Sequence, residues 1–234
     1  MPKAQPLFQR IIALLEKQYG RPRPPRVTDP MEMILLENVA YLTSDEQRDA
    51  AFDALRKQIG LQPANILSAS DEELLAVARL GGMLPRQRIE KLRRIAQITL
   101  AEFNGDLRPA LALPLAKAKK ALKKFPGIGD PGAEKILLFS RTQPLLALES
   151  NGLRVLIRLG FGEELKNYSA TYRAVQEAMK EQLKDDCDWL IGAHLLLRRH
   201  GQELCRRSEP VCKACPLTKH CRYFREHQQR KVNP

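Results

Sequence analysis

Four cysteines near the carboxyl end have the residue type and spacing of a metal site. Cys205, Cys212, Cys215 and Cys221 lie within 17 residues in the pattern C-x6-C-x2-C-x5-C. In a cytoplasmic protein, which we expect this to be, four thiols this close are metal ligands far more often than disulfide partners. Zinc sites often use two C-x2-C pairs and only one is present, so the spacing favours an iron–sulfur cluster while leaving zinc open.

A second group of residues has the composition of a phosphate-binding turn between two helices. The segment FPGIGDPGAEKI occupies positions 125–136. Gly127 and Gly129 allow positive φ and close backbone approach, and Ile128 would fill the corner between the helices. The amides of these three residues, with the start of the next helix, can bind one phosphate. The alternative is a corner that binds nothing, but several lysines precede the turn and attract anions: Lys119, Lys120, Lys123 and Lys124.

Charge and composition narrow the class of protein. The 234 residues carry a net charge of +12, and ten Lys/Arg against three Glu place +7 of it in residues 198–234. Concentrated positive charge favours a polyanionic partner through counterion release, although an inert basic surface fits composition equally well. No apolar run approaches the roughly 18 residues needed to span a bilayer. The first residues have no signal-peptide cleavage site, so we expect a cytoplasmic protein that is associated with the nucleoid and not with a membrane.

The elements that must position these residues are helices, because helical periodicity dominates and alternating β-branched runs are nearly absent. We expect an all-α protein. Met31–Leu42 is apolar almost all round and predicts a central buried helix. Two capping boxes, Ser44 with Gln47 and Ser70 with Glu73, predict helix starts. Further helices are expected at Pro6–Tyr19, Pro85–Phe103, Leu115–Lys124, Pro131–Ser140, Leu153–Leu159, Ala170–Leu183 and Cys187–His200.

The cysteine pattern, the FPGIG turn and the run from Trp189 through His200-Gly201-x3-Cys205 together resemble the endonuclease III branch of the helix–hairpin–helix DNA glycosylases. The likeness extends from about Pro30 to Tyr223. It implies a [4Fe–4S] cluster and excision of an altered base flipped from double-stranded DNA. It also implies two helical domains with a DNA cleft between them. We place a six-helix domain with the hairpin at 27–143, and a second domain with the cluster loop at 1–26 and 144–234.

The chain departs from this family where bifunctional members carry a lysine that forms a Schiff base and nicks the strand. That position is Pro131, which has no nucleophile. Asp130 and Pro131 instead predict a helix N-cap followed by its first residue. Lys135, one helical turn later, is a remote substitute. We therefore expect no AP-lyase activity.

A second departure lies at the family's aspartate, which opens a segment of the form Asp-x-Asn-x-x-Arg-Val. The chain has Glu149 at that position, with Asn151, Arg154 and Val155 in register. A carboxylate there can stabilise a cationic sugar or activate water. Glutamate moves it by about 1.5 Å, and misplacement on that scale can cost about a hundredfold in rate. The alternative is a solvated loop residue.

A third candidate is Glu37, which with Asn38 interrupts the apolar helix. An unpaired buried carboxylate is costly, so Glu37 is expected to face a pocket or to pair with a basic residue at an interface. It falls where adenine-excising relatives carry the glutamate that protonates the leaving base, and burial would suit such an acid. Leu42 falls where relatives commonly place a glutamine that fills the gap left in DNA.

The sequence thus predicts a monomeric, monofunctional DNA N-glycosylase of base-excision repair that removes a damaged or mispaired base. Glu149, Glu37 and Asn151 are the catalytic candidates. The predicted DNA contacts are Gly127, Ile128, Gly129, Lys123, Lys124, Lys213 and Lys219, and the four cysteines hold the cluster. The alternatives are a catalytically impaired protein that binds lesions on the same scaffold, and an electron-carrying iron–sulfur protein, which lacks any partner-binding feature.

Overall fold

The computed structural model describes the backbone of residues 5–232 and the side chains of residues 5–227. The ends of the chain included in the predicted second domain, 1–4 and 233–234, lie outside the described residues, as do the side chains of Arg230 and Lys231 in the basic tail. Every regular element in the described part is a helix, and one isolated bridge joins Tyr41 to Gly82. Within residues 5–232, no helix combines the length and apolar composition needed to cross a membrane.

The chain divides into two units, residues 25–143 and residues 1–24 with 144–234. All residues of the first unit are described. It contains eight helices, two of which are short. They are α2 (Pro30–Asn38), α3 (Asp45–Gln58), α4 (Pro63–Ser68), α5 (Asp71–Leu80), α6 (Pro85–Phe103), α7 (Arg108–Leu111), α8 (Leu115–Leu122) and α9 (Asp130–Phe139).

The second unit begins with α1 (Leu7–Tyr19) and continues after the first unit with α10 (Ser150–Leu159), α11 (Tyr168–Met179), α12 (Cys187–Glu203) and α13 (Arg222–Val232). Three single-turn 3-10 helices cover Lys180–Gln182, Cys212–Ala214 and Thr218–His220. Phe8 of α1 is fully buried and meets Phe161 and Trp189 edge to face, with ring centroids 6.0 and 5.7 Å apart. Helix α12 packs against α1 and α10. The cysteine loop follows the carboxyl end of α12.

Several predicted helix limits need correction. The helix expected over Met31–Leu42 spans Pro30–Asn38 and is capped by Asp29, whose carboxylate accepts from Met31 and Glu32. It ends at Asn38 because the amide of this buried side chain donates to the carbonyls of Ile34 and Pro126. Ser70 and Glu73 form the predicted capping box. Ser44 caps α3, but Gln47 does not complete a box and accepts from Thr43 instead.

Candidate DNA-binding and catalytic site

The predicted hairpin is formed by α8, the turn at residues 123–129, and α9. Gly127 has φ +73°, and a Cβ there would lie 3.1 Å from Oδ1 of Asn38, so the turn packs closely on the end of α2. Ile128 is buried in the corner. Its amide already donates to the carbonyl of Phe125 at 3.2 Å. The amides that lack an acceptor in the described part of the chain are those of Gly127, Gly129, Asp130 and Gly132. These four donors can bind an anion at the start of α9.

The predicted cap of α9 was wrong. Gly129 is the N-cap and makes no side-chain cap bond, while Asp130 and Pro131 are the first two helical residues. Asp130 cannot act as the cap because its carboxylate lies between Lys119 and Lys123, with Nζ–O distances of 3.2 Å to each. Burial alone would raise the pKa of the Asp130 carboxyl, but the hydrogen bonds from the two lysines outweigh it and lower the pKa.

The lysines around the hairpin are already engaged with acids of the same unit. Lys119 also contacts the buried Glu134 at 2.6 Å, and Lys124 pairs with Glu102. Burial would lower the pKa of Lys119, but Glu134 and Asp130 raise it overall. The pairs of Lys123 and Lys124 are half-exposed, a class worth about 0–1 kcal/mol. An incoming phosphate can therefore displace either of these two carboxylates.

Glu37 on α2 is paired with Lys135 on α9. Its side chain is 33% exposed, so Glu37 is partly exposed and paired with a basic residue, which is one of the two arrangements expected from the sequence. The helix turns this side chain outwards while its neighbour Asn38 points into the core. A carboxylate that accepts a hydrogen bond from an ammonium group has no proton to give, so proton donation by Glu37 requires Lys135 to move away first.

Glu149 is the N-cap of α10 and both of its carboxylate oxygens are engaged. Oε1 accepts from the amide of Gly152 at 2.5 Å and Oε2 from Nδ2 of Asn151 at 2.7 Å. Asn151 in turn accepts from Arg154, which also donates to the carbonyls of Gly201 and Cys205. This chain of bonds links the candidate carboxylate to the first residue of the cysteine loop. Glu149 is therefore a fixed group and not a mobile loop side chain.

The side chain of Glu149 keeps capacity for a reaction partner. A carboxylate has about four lone-pair sites, and two of those of Glu149 are engaged by Asn151 and Gly152. Each oxygen therefore has one further site for a water or a sugar cation.

The four clustered cysteines are free thiols, each partly buried. Burial raises the pKa of Cys215 to about 11, with an added rise from the charges of Cys205, Cys221 and Cys212, so these three sulfurs lie within electrostatic reach of Cys215. Among the described residues, no three His, Cys, Asp or Glu side chains are placed to share a single metal ion.

The surroundings of these sulfurs supply the hydrogen-bond donors typical of iron–sulfur sites. Arg158 Nη1 lies 3.4 Å from Cys205 Sγ, and the amide of Phe224 lies 3.4 Å from Cys221 Sγ. His200 Nε2 lies 3.6 Å from Cys215 Sγ, and burial lowers the pKa of this histidine to about 4. Four thiols with such donors fit the chemistry of a cluster site.

The cations of the cysteine loop differ from those of the hairpin. Lys213 and Lys219 lie on the two 3-10 turns, are exposed, and have no acidic partner in the described part of the chain. They are free to contact phosphate without first leaving an ion pair.

An apolar tip, made of Tyr41, Leu42, Met83 and Leu84, was not predicted as a unit. These side chains are 46–70% exposed. The bridge between Tyr41 and Gly82 joins the two segments, and Leu42 and Leu84 have φ of 50° and 56°, a conformation that costs a non-glycine residue about 1–3 kcal/mol. In the sequence, the hints of this tip were the family position of Leu42 and the Gly81-Gly82 pair before two apolar residues.

Comparisons with known proteins identify the class of protein to which this fold belongs. No family model matches the chain. Its fold resembles that of a trapped covalent endonuclease III–DNA intermediate, an estranged-adenine complex, with a TM-score of 0.73, 20% identity, and coverage of 94% of this chain and 98% of that one. This is the fold of the helix–hairpin–helix DNA glycosylases, and it confirms the all-α prediction.

The relatives give the family. Endonuclease III of Rickettsia conorii is 30% identical over 189 residues, 80% of this chain and 82% of the relative. The thymine/uracil-DNA glycosylase of Pyrobaculum aerophilum is 26% identical over 168 residues, 72% of this chain and 69% of that protein. The chain belongs to the endonuclease III family.

Some predicted site residues contact one another within one unit, and others belong to different units. Glu149 and Asn151 are hydrogen-bonded to each other, and the hairpin residues surround the start of α9. Glu37 belongs to the unit of the hairpin, and Glu149 to the unit of the cysteines. The bonding role of Arg154 was missed, although its register with the family motif pointed to it.

Proposed function

We propose that this protein is a DNA N-glycosylase of base-excision repair that hydrolyses the bond between a damaged or mispaired base and its sugar, and leaves the strand intact. The observation that carries the proposal is the fixed carboxylate of Glu149, combined with Pro131 in place of a nucleophilic lysine. A carboxylate stabilises a sugar cation or activates water, whereas lyase chemistry needs an amine. The endonuclease III and thymine/uracil-DNA glycosylase relatives support the reaction class.

In this proposal the duplex is gripped at two places. The free amides at the start of α9 bind one phosphate, and Lys213 and Lys219 bind others. Lys123 and Lys124 join after leaving Asp130 and Glu102. The apolar tip enters the base stack while the target nucleotide is extruded, because apolar side chains unstack base steps. Leu42 fills the gap by shape, since it has no polar atom with which to read the opposite base.

Glu149 then faces the C1′ of the extruded nucleotide. Asn151 and Gly152 keep the carboxylate oriented, and water completes the hydrolysis. Once Lys135 has moved away, the Glu37 carboxylate takes a proton from solvent and gives it to the leaving base, while the attacking water adds its hydroxyl to C1′ and returns one proton to solvent. In the resting arrangement Lys135 is paired and is no nucleophile.

The proposed cofactor is a [4Fe–4S] cluster held by Cys205, Cys212, Cys215 and Cys221. When bound, it supplies a rigid anchor for the loop that carries Lys213 and Lys219. Iron and acid-labile sulfide in equal amounts in the purified protein, with visible absorption, support this assignment; colourless protein containing zinc contradicts it.

The experiment that tests the function incubates catalytic amounts of protein with duplexes that each carry one lesion or mismatch. We expect abasic product that breaks only after alkali, no product from Glu149→Gln, and no adduct after borohydride reduction. A borohydride-trapped adduct would contradict the absence of lyase activity and point to Lys135. Tight lesion binding without product would favour the rival function, a lesion-binding protein, for which the pairing of Glu37 with Lys135 is the specific support.

A further inference from the structure

A cavity of about 620 Å³ opens in the unit formed by residues 1–24 and 144–234. Its walls are α10, the loop at residues 164–167, the start of α11, Arg207 and the start of α13. Sites for small organic ligands typically measure roughly 300–1,000 Å³. The cavity is therefore large enough for a nucleotide.

The lining of this cavity is mainly cationic, with five basic and two acidic side chains. These are Arg154, Arg158, Lys166, Arg207 and Arg222, with Glu164 and Glu226. Three of these five basic side chains already have partners within the protein. Arg154 and Arg158 donate to backbone carbonyls of residues 201–207, and Arg222 approaches two glutamates, one of them Glu226.

Lys166 and Arg207 have no acidic partner in the described part of the chain. The first turn of α11 contributes to the wall and adds the positive end of a helix dipole. These groups together favour an anion such as a phosphate.

Tyr168 provides an aromatic surface in the same wall. Its ring stacks on Tyr172, with centroids 6.1 Å apart, and the residue is 46% exposed and lines the cavity, so part of the side chain remains accessible to a base. The second aromatic residue, Tyr223, is covered by Arg158 at 4.6 Å and by His227.

The cavity adjoins the candidate reaction centre. Ser150, which follows Glu149, lines it. Burial, and then the charge of Glu149, raise the pKa of Tyr168, so this phenol lies within electrostatic reach of the Glu149 carboxylate.

We infer that this cavity binds a nucleotide unit, with the phosphate on Lys166 and Arg207 and the base stacked on Tyr168. The inference concerns binding alone and does not require excision. The nucleotide unit can come from a DNA strand or from a free mononucleotide, and both present the same phosphate and base.

Calorimetric titration of the intact protein with a deoxynucleoside 5′-monophosphate, and with the deoxynucleoside that lacks the phosphate, tests this directly. We expect the deoxynucleoside to bind at least about tenfold more weakly, because it loses charge-assisted hydrogen bonds. Lys166→Ala/Arg207→Ala should weaken monophosphate binding by a similar factor. Tyr168→Ala should weaken it by about fivefold or more, and Tyr168→Phe should retain it.

The matched control is Arg10→Ala/Lys17→Ala, which removes the same charge from exposed positions on α1 of the same unit. It should leave affinity unchanged, and thermal melting of every variant checks folding. Equal affinity for both ligands, or equal loss in the cavity and control variants, overturns the inference.

Photo-crosslinking distinguishes the two sources of the nucleotide unit, a DNA strand and a free mononucleotide. A duplex and a single strand that carry 5-bromodeoxyuridine are crosslinked to the protein, and the crosslinked residues are identified by peptide mapping. Crosslinks at Tyr168 identify the DNA strand as the occupant. Crosslinks elsewhere only, with tight monophosphate binding retained, identify a free nucleotide. If no crosslink forms at Tyr168 and the monophosphate does not bind, the inference is overturned, whatever the result of the excision assay.

Discussion

At the scale of single residues, the first residue of α9 is an acid, Asp130, and it lies where we propose that a phosphate binds. Asp130 lies between Lys119 and Lys123 and holds two cations that would otherwise attract DNA. We therefore expect the carboxylate to lower the affinity of the hairpin for DNA while it fixes the positions of the two ammonium groups.

Replacing Asp130 by Asn should strengthen DNA binding, because the carboxylate no longer competes with phosphate. We expect up to about fivefold tighter binding of a duplex in fluorescence anisotropy. A half-exposed ion pair is worth up to about 1 kcal/mol, and that free energy corresponds to about a fivefold change in affinity. The control is Asp71→Asn, which removes the carboxylate paired with Arg93 in the same unit. Equal tightening in both variants would mean that only net charge matters.

The same residue makes stability depend on pH. Because the folded pKa of Asp130 is lowered from 3.8, its contribution is present above about pH 4 and is lost as pH falls through the lower folded value. At pH 7 the contribution is at most about 1 kcal/mol, since the side chain is 39% exposed. Urea denaturation of wild type and Asp130→Asn should give a difference at pH 7 that becomes smaller as pH falls below about 4. A difference that stays constant as pH falls below about 4 would contradict this assignment.

At the scale of elements, the position of Glu149 depends on how closely α10 approaches α12. A Cβ on Gly201 would lie 2.7 Å from Cβ and 2.8 Å from the carbonyl oxygen of Asn151, closer than real contacts allow. Gly201 thus permits the packing that lets Asn151 and Arg154 connect Glu149 to the cysteine loop.

Gly201→Ala should therefore destabilise the protein by about 1–3 kcal/mol, the usual cost of overpacking, and should reduce excision by displacing Asn151. Gly192→Ala on the same helix is the matched control, because its nearest neighbour would be Cγ of Pro22 at 3.9 Å. Thermal melting should show a loss for Gly201→Ala and no loss for Gly192→Ala. Equal melting temperatures would show that the close approach does not constrain α10.

The apolar tip yields a prediction that depends on the proposed function. Leu42→Ala should leave stability within about 0.5 kcal/mol, since the side chain is 70% exposed. It should lower excision and the unstacking of a 2-aminopurine reporter beside the lesion. Leu113→Ala, an exposed leucine of the same unit, is the control. Identical behaviour of the two variants would remove the tip from the mechanism.

Local sequence signals predicted the elements they act on directly. Pro85 and the Asn104-Gly105 pair set the limits of α6, and Ser70 with Glu73 set the start of α5. The end of α2 could not be predicted, because Asn38 bonds to Pro126, 88 positions away. The cap of α9 was misassigned for a similar reason: Lys119 of α8 and Lys123 of the turn bind Asp130 and take it out of the capping role.

At the scale of the whole molecule, the sequence revealed the family scaffold and the types of residue in the site, but not their pairing. Counting lysines could not distinguish Lys123 and Lys124, which are paired, from Lys213 and Lys219, which are not. The apolar tip likewise depends on a bridge between two segments some forty positions apart in the chain.

The most direct test of the account is the salt dependence of duplex binding. We expect wild type to bind at low salt, with log K falling linearly against log salt concentration. Lys213→Ala/Lys219→Ala should reduce the magnitude of that slope by about two, one for each lost phosphate contact. Lys123→Ala should change it by less than about one, because Asp130 already neutralises this lysine. No binding even in dilute salt, or one slope for all three proteins, would contradict the claim that the hairpin and cysteine loop grip the phosphate backbone.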